Sequence, residues 1–143
     1  MRVLVINGPN LNLLGQREPG LYGEMSLEEI NADLKKMAAE KQVEIDFFQS
    51  NHEGEIIDRI HQAQGSVDAM IINAGALTHY SIALLDAIKA VNIPFVEVHL
   101  TNIYAREDYR HNSLLSPIAR GGIFGIGAAG YSLALLAVCE WFK

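Results

Sequence analysis

The sequence predicts an α/β fold: an open parallel sheet covered by helices on both faces. Three observations predict it. Five short apolar runs read as strands, segments of helical periodicity alternate with them, and 143 residues suffice for one domain with a full hydrophobic core. Strand–helix units in series imply parallel strands joined by right-handed crossovers, which wrap a sheet on both sides.

The first strand is RVLVIN (2–7), and an unusual segment follows it: GPNLNLLGQREPGLYGEM, with no clear helix before Ser26. A strand-to-helix connection usually takes about 2–6 residues, and loops beyond about 12–15 are usually functional or disordered. This segment, about 8–25, is not of low complexity and holds leucines suited to pack it down. It reads as an active-site loop or lid, with a plain surface loop as the alternative. The first helix, about Ser26 to Lys41, opens on an S-x-x-E capping box of Ser26 and Glu29 and carries the apolar stripe Leu27, Ile30, Leu34, Met37 and Ala38.

The second strand is VEIDFFQ (43–49), followed by a helix over about 53–64 with Ile56, Ile57, Ile60 and Ala63 on one side. The third is VDAMIIN (67–73), followed by a helix over about 80–91 with Ile82, Leu85 and Ile88, stopped by Pro94. The fourth is PFVEVHL (94–100), the fifth GIFGIG (122–127), and the last helix, about 131–142, is apolar almost all round. That helix, with Trp141 and Phe142, suggests a subunit interface as well as core packing. The expected architecture is a flavodoxin-like, open doubly wound sandwich with a five-stranded parallel sheet. Residues 1–143 are expected to form a single catalytic domain.

In such sheets ligands bind beyond the carboxyl ends of the strands. Those ends carry Asn7 and Asn10, then Asn73, then His99, so polar groups far apart in sequence gather on one edge. The motif GIGAAG (125–130) matches G-x-G-x-x-G between a strand and a helix, but no strand with an acidic residue follows it in the sequence. Its glycines read as close packing of the last helix, or as pocket lining.

The net charge of −6 argues against general nucleic-acid binding. Yet Arg17, Arg106 and Arg110, three of the six arginines, fall in loops after strands and suggest a small anionic ligand. No apolar run reaches the roughly 18 residues of a membrane span, and no basic-plus-apolar leader precedes the first strand, so the expected compartment is cytoplasmic. A single cysteine, Cys139, excludes an internal disulfide and a multi-cysteine zinc site. It reads as an inert thiol in an apolar helix.

A buried Glu97 needs a partner, because a lone buried carboxylate is very costly. His99, two residues on and on the same face, is the obvious one. A carboxylate behind an imidazole orients it and favours its protonated form, which suits a general acid, although a structural Glu–His hydrogen bond is the alternative. In the first loop, a guanidinium from Arg17 would stabilise a tyrosinate at Tyr22 and make it a base, where most loop tyrosines simply pack. After the third strand, Gly75 permits close approach of backbone to a ligand, and Asn73 and His79 offer hydrogen bonds; a glycine turn with His79 capping the next helix is the other reading. His79, His99 and Glu97 lack the spacing of a helical metal motif, so no metal is expected. The five lysines fall at helix surfaces or ends, which disfavours Schiff-base chemistry. A flavin- or phosphate-binding module would want a Ser-, Thr- and Gly-rich loop after the first strand, where Pro9, Asn10 and leucines stand instead.

Three further segments join the first loop, NGPNLNLLGQREPGLYG (7–23): SNHEGEIIDRIH (50–61), INAGALTHYSIALLDAI (72–88) and VEVHLTNIYAREDYRHNS (96–113). In order and spacing these segments resemble type II 3-dehydroquinate dehydratase across essentially the whole chain. The resemblance implies a flavodoxin-like fold and dehydration of 3-dehydroquinate to 3-dehydroshikimate, a shikimate-pathway step toward chorismate and aromatic amino acids. It implies anti elimination through an enolate, without metal, cofactor or Schiff base. It implies Tyr22 as tyrosinate base, Arg17 as its cation, His99 as general acid with Glu97 behind it, and Asn10 holding a water near the enolate oxygen. Asn73 and the backbone at Leu100 and Thr101 correspond to the substrate-carboxylate site, and His79 and Arg110 to groups binding ring hydroxyls. Asp86 corresponds to a carboxylate reaching in from a neighbouring subunit of a homo-oligomer, a dodecamer built from trimers; Arg106 corresponds to a nearby arginine. Thr101 stands where Ser is more usual, and Tyr104 where His is frequent.

Overall fold

The computed structural model describes residues 1–143. Its strands are β1 (Arg2–Asn7), β2 (Glu44–Gln49), β3 (Ala69–Asn73), β4 (Phe95–His99) and β5 (Gly121–Phe124). All pair in parallel, in the flavodoxin-like order β2-β1-β3-β4-β5. The helices are α1 (Pro19–Tyr22), α2 (Leu27–Glu40), α3 (Glu53–Ala63), α4 (Ile82–Val91) and α5 (Ala129–Trp141). None is long and apolar enough to cross a membrane.

The three central strands are buried along almost their whole length, as the apolar runs require. Their two-residue period sorts the side chains into two cores. Val3 and Val5 of β1 join Ile71, Val96 and Val98 beneath α2 and α5, against Leu34, Tyr131 and Leu135. Leu4 and Ile6 join Met70, Ile72 and Phe95 beneath α3 and α4, against Ile56, Ile60, Leu84 and Ile88. The same period decides where polar residues point. Asn7 and Asn73 continue the first set, whereas Glu97 and His99 continue the row of Phe95.

Several boundaries differ from the sequence expectation. β5 ends at Phe124 because Gly125 and Gly127 take φ of 84° and 66° and turn the chain out of the sheet. The third crossover helix starts at Ile82, capped by the Ser81 hydroxyl, which accepts from Leu84 N at 3.0 Å; a 3-10 helix, Gly75–His79, precedes it. His79 is therefore not the helix cap. The last helix begins at Ala129, two residues early. The segment 8–25 is not plain loop: it folds into a 3-10 turn at Leu11–Leu13 and the single-turn α1, too short for periodicity to show. Leu11 and Leu14 are buried and root it in the core. The motif's glycines do pack closely at Gly130, where an added Cβ would lie 3.4 Å from Ile123 and 3.5 Å from Val98.

The chain leaves β1 and β3 through two turns that touch backbone to backbone. Gly8 N donates to Asn73 O at 2.8 Å, and a Cβ on Gly8 would lie 2.4 Å from Ala74 O. Only glycine fits there. Gly8→Ala is expected to destabilise the protein by about 1–3 kcal/mol in urea unfolding; an unchanged midpoint would mean that the two turns separate freely.

Candidate active site

A pocket opens beyond the carboxyl ends of β1, β3 and β4. Of the residues singled out from the sequence, Asn10, Arg17, Tyr22, Asn73, His79, His99, Leu100, Thr101, Arg106 and Arg110 all line it. Glu97 lies behind His99. Asp86 is not brought to this pocket: α4 turns Leu84, Ala87 and Ile88 toward the sheet and leaves Asp86 exposed on its outer side.

Glu97 and His99 are both buried, at 3% and 7% exposure, and Glu97 Oε1 lies 2.8 Å from His99 Nε2. The hydroxyls of Ser113 and Ser116 donate to the two oxygens of the same carboxylate, each at 2.5 Å. Burial by itself would push the Glu97 carboxyl up, but the hydrogen bonds from His99, Ser113 and Ser116 outweigh it and hold the group below its ordinary value. Glu97 is thus an anion clamped from three sides. The backbone of the glycine turn after β5 secures the end of β4, with Gly125 N donating to His99 O and Gly127 N to Leu100 O.

The long connection after β1 brings in a second group. Arg17 Nη2 donates to the Tyr22 phenol oxygen at 3.1 Å, and the Arg17 guanidinium carbon lies 4.4 Å from the ring centre. Arg106 approaches the same ring, at 5.3 Å, and donates to the Thr101 hydroxyl at 3.3 Å. Two cations therefore lie close to the Tyr22 ring. Asn10 adopts φ of 70°, which asparagine tolerates well, and its N–H is held by Asn51 Oδ1 at 2.9 Å.

His79 Nδ1 donates to Asn112 O at 2.9 Å, leaving Nε2 without a protein partner. Burial pulls its basicity down; the Asn112 carbonyl opposes this, while His99 and Arg110 add to it. The neutral ring with a free Nε2 acceptor is favoured. Its plane stacks on His99 with centroids 6.2 Å apart.

No aspartate or glutamate lines the pocket, while three arginines do. Only Glu107 offsets them, bonding Arg110 at 2.8 Å and approaching Arg106 at 3.7 Å from outside. A cationic cavity on a chain of net charge −6 suits a small anion. No group of three or more His, Cys, Asp and Glu side chains is placed to hold a metal ion, and no lysine lines the pocket.

Sequence reasoning missed three participants. Ser113 and Ser116 clamp Glu97 from 16 and 19 residues away, with no local signal beyond their place in the segment after β4. Tyr131 reads as a core residue of α5, yet its hydroxyl bonds both Asn7 and Asn73.

The family model "Dehydroquinase class II" matches residues 1–139. A 3-dehydroquinate dehydratase of Francisella philomiragia is 59% identical over 143 residues, covering 100% of this chain and 97% of that protein. One of Desulforudis audaxviator is 56% identical over 140 residues, covering 98% and 93%. The crystal structure of a type II dehydroquinase from Butyrivibrio crossotus superposes with a TM-score of 0.94 at 42% identity, over 98% of this chain and 97% of that one.

The Glu97 clamp makes stability depend on pH with a definite sign. The folded carboxyl titrates below 4.5, so its contribution is complete above that value and is lost as pH falls through the lower folded value. Ser116→Ala is expected to cost about 1–2 kcal/mol near neutral pH. In urea titrations the deficit should shrink as the pH drops below the ordinary carboxylate range. A deficit equal at every pH would mean that Ser116 contributes by packing alone.

Proposed function

The chain belongs to the class II dehydroquinase family, and from that membership we propose how its pocket carries out the reaction. The activity is dehydration of 3-dehydroquinate, a lyase step of the shikimate pathway. In the proposed course, Tyr22 acts as tyrosinate and takes the proton from C2. The electron pair left behind forms an enolate. The C1 hydroxyl then departs, taking a proton from His99 and leaving as water, and 3-dehydroshikimate remains. Loss of the two groups from opposite faces makes the elimination anti.

Each role has a physical support. The Arg17 N–H on the phenol oxygen stabilises negative charge there, and Arg106 adds a second cation beside the ring. Glu97 orients His99 and balances its charge when protonated. Asn10 holds a water at the enolate oxygen, where pre-placed donors are worth roughly 3–4 kcal/mol each. Asn73 and the N–H groups of Leu100 and Thr101 take the substrate carboxylate. His79, with Nε2 free as an acceptor, and Arg110 take ring hydroxyls. Nothing in this course requires a metal, a cofactor or an imine. The observation that carries the reading is the Arg17–Tyr22 hydrogen bond in the same pocket as the Glu97-backed His99.

Residues 1–143 act as one catalytic unit in the cytoplasm, within a dodecamer built from trimers. Asp86, exposed on α4, reaches into a neighbour's pocket. The apolar residues left exposed on α5, Leu133 and Leu136, suit a covered surface.

Purified protein given 3-dehydroquinate should show rising ultraviolet absorbance from the conjugated product, undiminished by EDTA or borohydride pretreatment. Tyr22→Phe should lower kcat at least about a hundredfold, the lower bound for a lost general base, with thermal unfolding unchanged. Near-normal turnover would remove Tyr22 from that role. Mixing inactive Tyr22→Phe and Asp86→Ala subunits after dissociation should restore part of the activity, since some mixed sites then hold both wild-type groups. Failure to restore any would rule out a shared site.

A further inference from the structure

At the carboxyl edge of the sheet Asn7 and Asn73 are direct cross-strand partners, and both side chains point to the α5 side. Tyr131, in the first turn of α5, is fully buried and fills the space between them. Its hydroxyl donates to Asn7 Oδ1 at 2.5 Å and accepts from Asn73 Nδ2 at 2.9 Å. Asn73 Oδ1 in turn accepts from Gly75 N at 3.2 Å.

These bonds have a direction. A hydroxyl carries one hydrogen, and here it is committed to Asn7, whose Oδ1 can only accept. Tyr131 can therefore meet Asn73 only as an acceptor, so Asn73 must present its nitrogen. The Gly75 N–H, which can only donate, demands the amide oxygen on the other side. The flip of the Asn73 amide is thus fixed twice over, and one Nδ2 hydrogen is left without a protein partner on a residue that lines the pocket. Burial drives the Tyr131 phenol far above its ordinary value, so it stays a neutral hydroxyl and the order of donors does not reverse.

We propose that Tyr131 is a positioning residue: through the Asn73–Tyr131–Asn7 chain it locks the Asn73 amide with its free N–H toward the bound anion. It touches no substrate atom. This rests on the reading in which Asn73 binds the substrate carboxylate. Without the Tyr131 oxygen, the nitrogen end of Asn73 loses its only side-chain partner. The amide is then held by Gly75 alone, and part of its donor capacity is spent on rotation or on a stray water.

The test is a double-mutant cycle on steady-state kinetics with 3-dehydroquinate. Tyr131→Phe should raise KM about tenfold, the loss of one well-placed donor, with kcat changed by less than about threefold. In an Asn73→Ala background the same change should leave KM within about twofold, because the group it acts through is gone. Asn7→Leu, close in size and without the acceptor, frees the Tyr131 hydroxyl to turn and should raise KM in the same sense; it serves if Tyr131→Phe does not fold. Equal KM effects with and without Asn73, or no KM effect from a folded variant, would overturn the proposal. Wild-type protein that fails to turn over 3-dehydroquinate would instead overturn the functional reading beneath it.

Discussion

Parallel pairing of β1, β3 and β4 is the constraint from which the rest of the molecule follows. It brings every strand's carboxyl end to one edge, so residues 7, 73 and 99 become neighbours without any local sequence relation. It also requires helices on both faces, which buries the strands on both sides and makes any polar residue within them a liability. Glu97 is such a residue. The fold tolerates it because His99, Ser113 and Ser116 converge on its two oxygens. Remove that convergence and the same strand would carry an uncompensated buried charge.

Much of this was legible in the sequence, and the reason is periodicity. The apolar runs are strands because both faces of the sheet are covered, and the two-residue alternation within RVLVIN assigns Val3 and Val5 to one core and Leu4 and Ile6 to the other. The pocket residues were legible because they sit where strands end. What was not legible depended on contacts between distant residues. The Tyr131 hydroxyl meets partners 58 and 124 positions away, and in an apolar helix nothing marks it as more than packing. Single-turn α1 has no period to detect, although Pro19 at its start is a helix-initiating signal. GIFGIG reads as strand over its whole length, whereas β5 ends at Phe124 because the positive φ of Gly125, which no pattern of residues announces, turns the chain away.

The electrostatics combine two scales. The chain as a whole is acidic, yet the pocket holds three guanidiniums and no carboxylate. The arginines are not free to scatter: Arg17 is tied to Tyr22, Arg106 to Thr101, and Arg110 to Glu107. Charge is thus fixed in place before any anion arrives, which lowers the reorganisation that binding would otherwise require.

The long connection after β1 starts at the turn of Gly8 against Ala74 and has two parts of different character. Its root, through Leu14, is anchored by buried leucines and by the bond from Asn10 to Asn51. Its tip carries Arg17 and Tyr22 between Gly15 and Gly23, both at positive φ. Tyr22 packs against the core on the α2–α5 side, and an Arg17 N–H reaches its phenol oxygen. Tyrosine and counter-charge therefore share one short stretch of chain, so an insertion or deletion between Gly15 and Gly23 would disturb both together while the root that carries Asn10 keeps its own anchors.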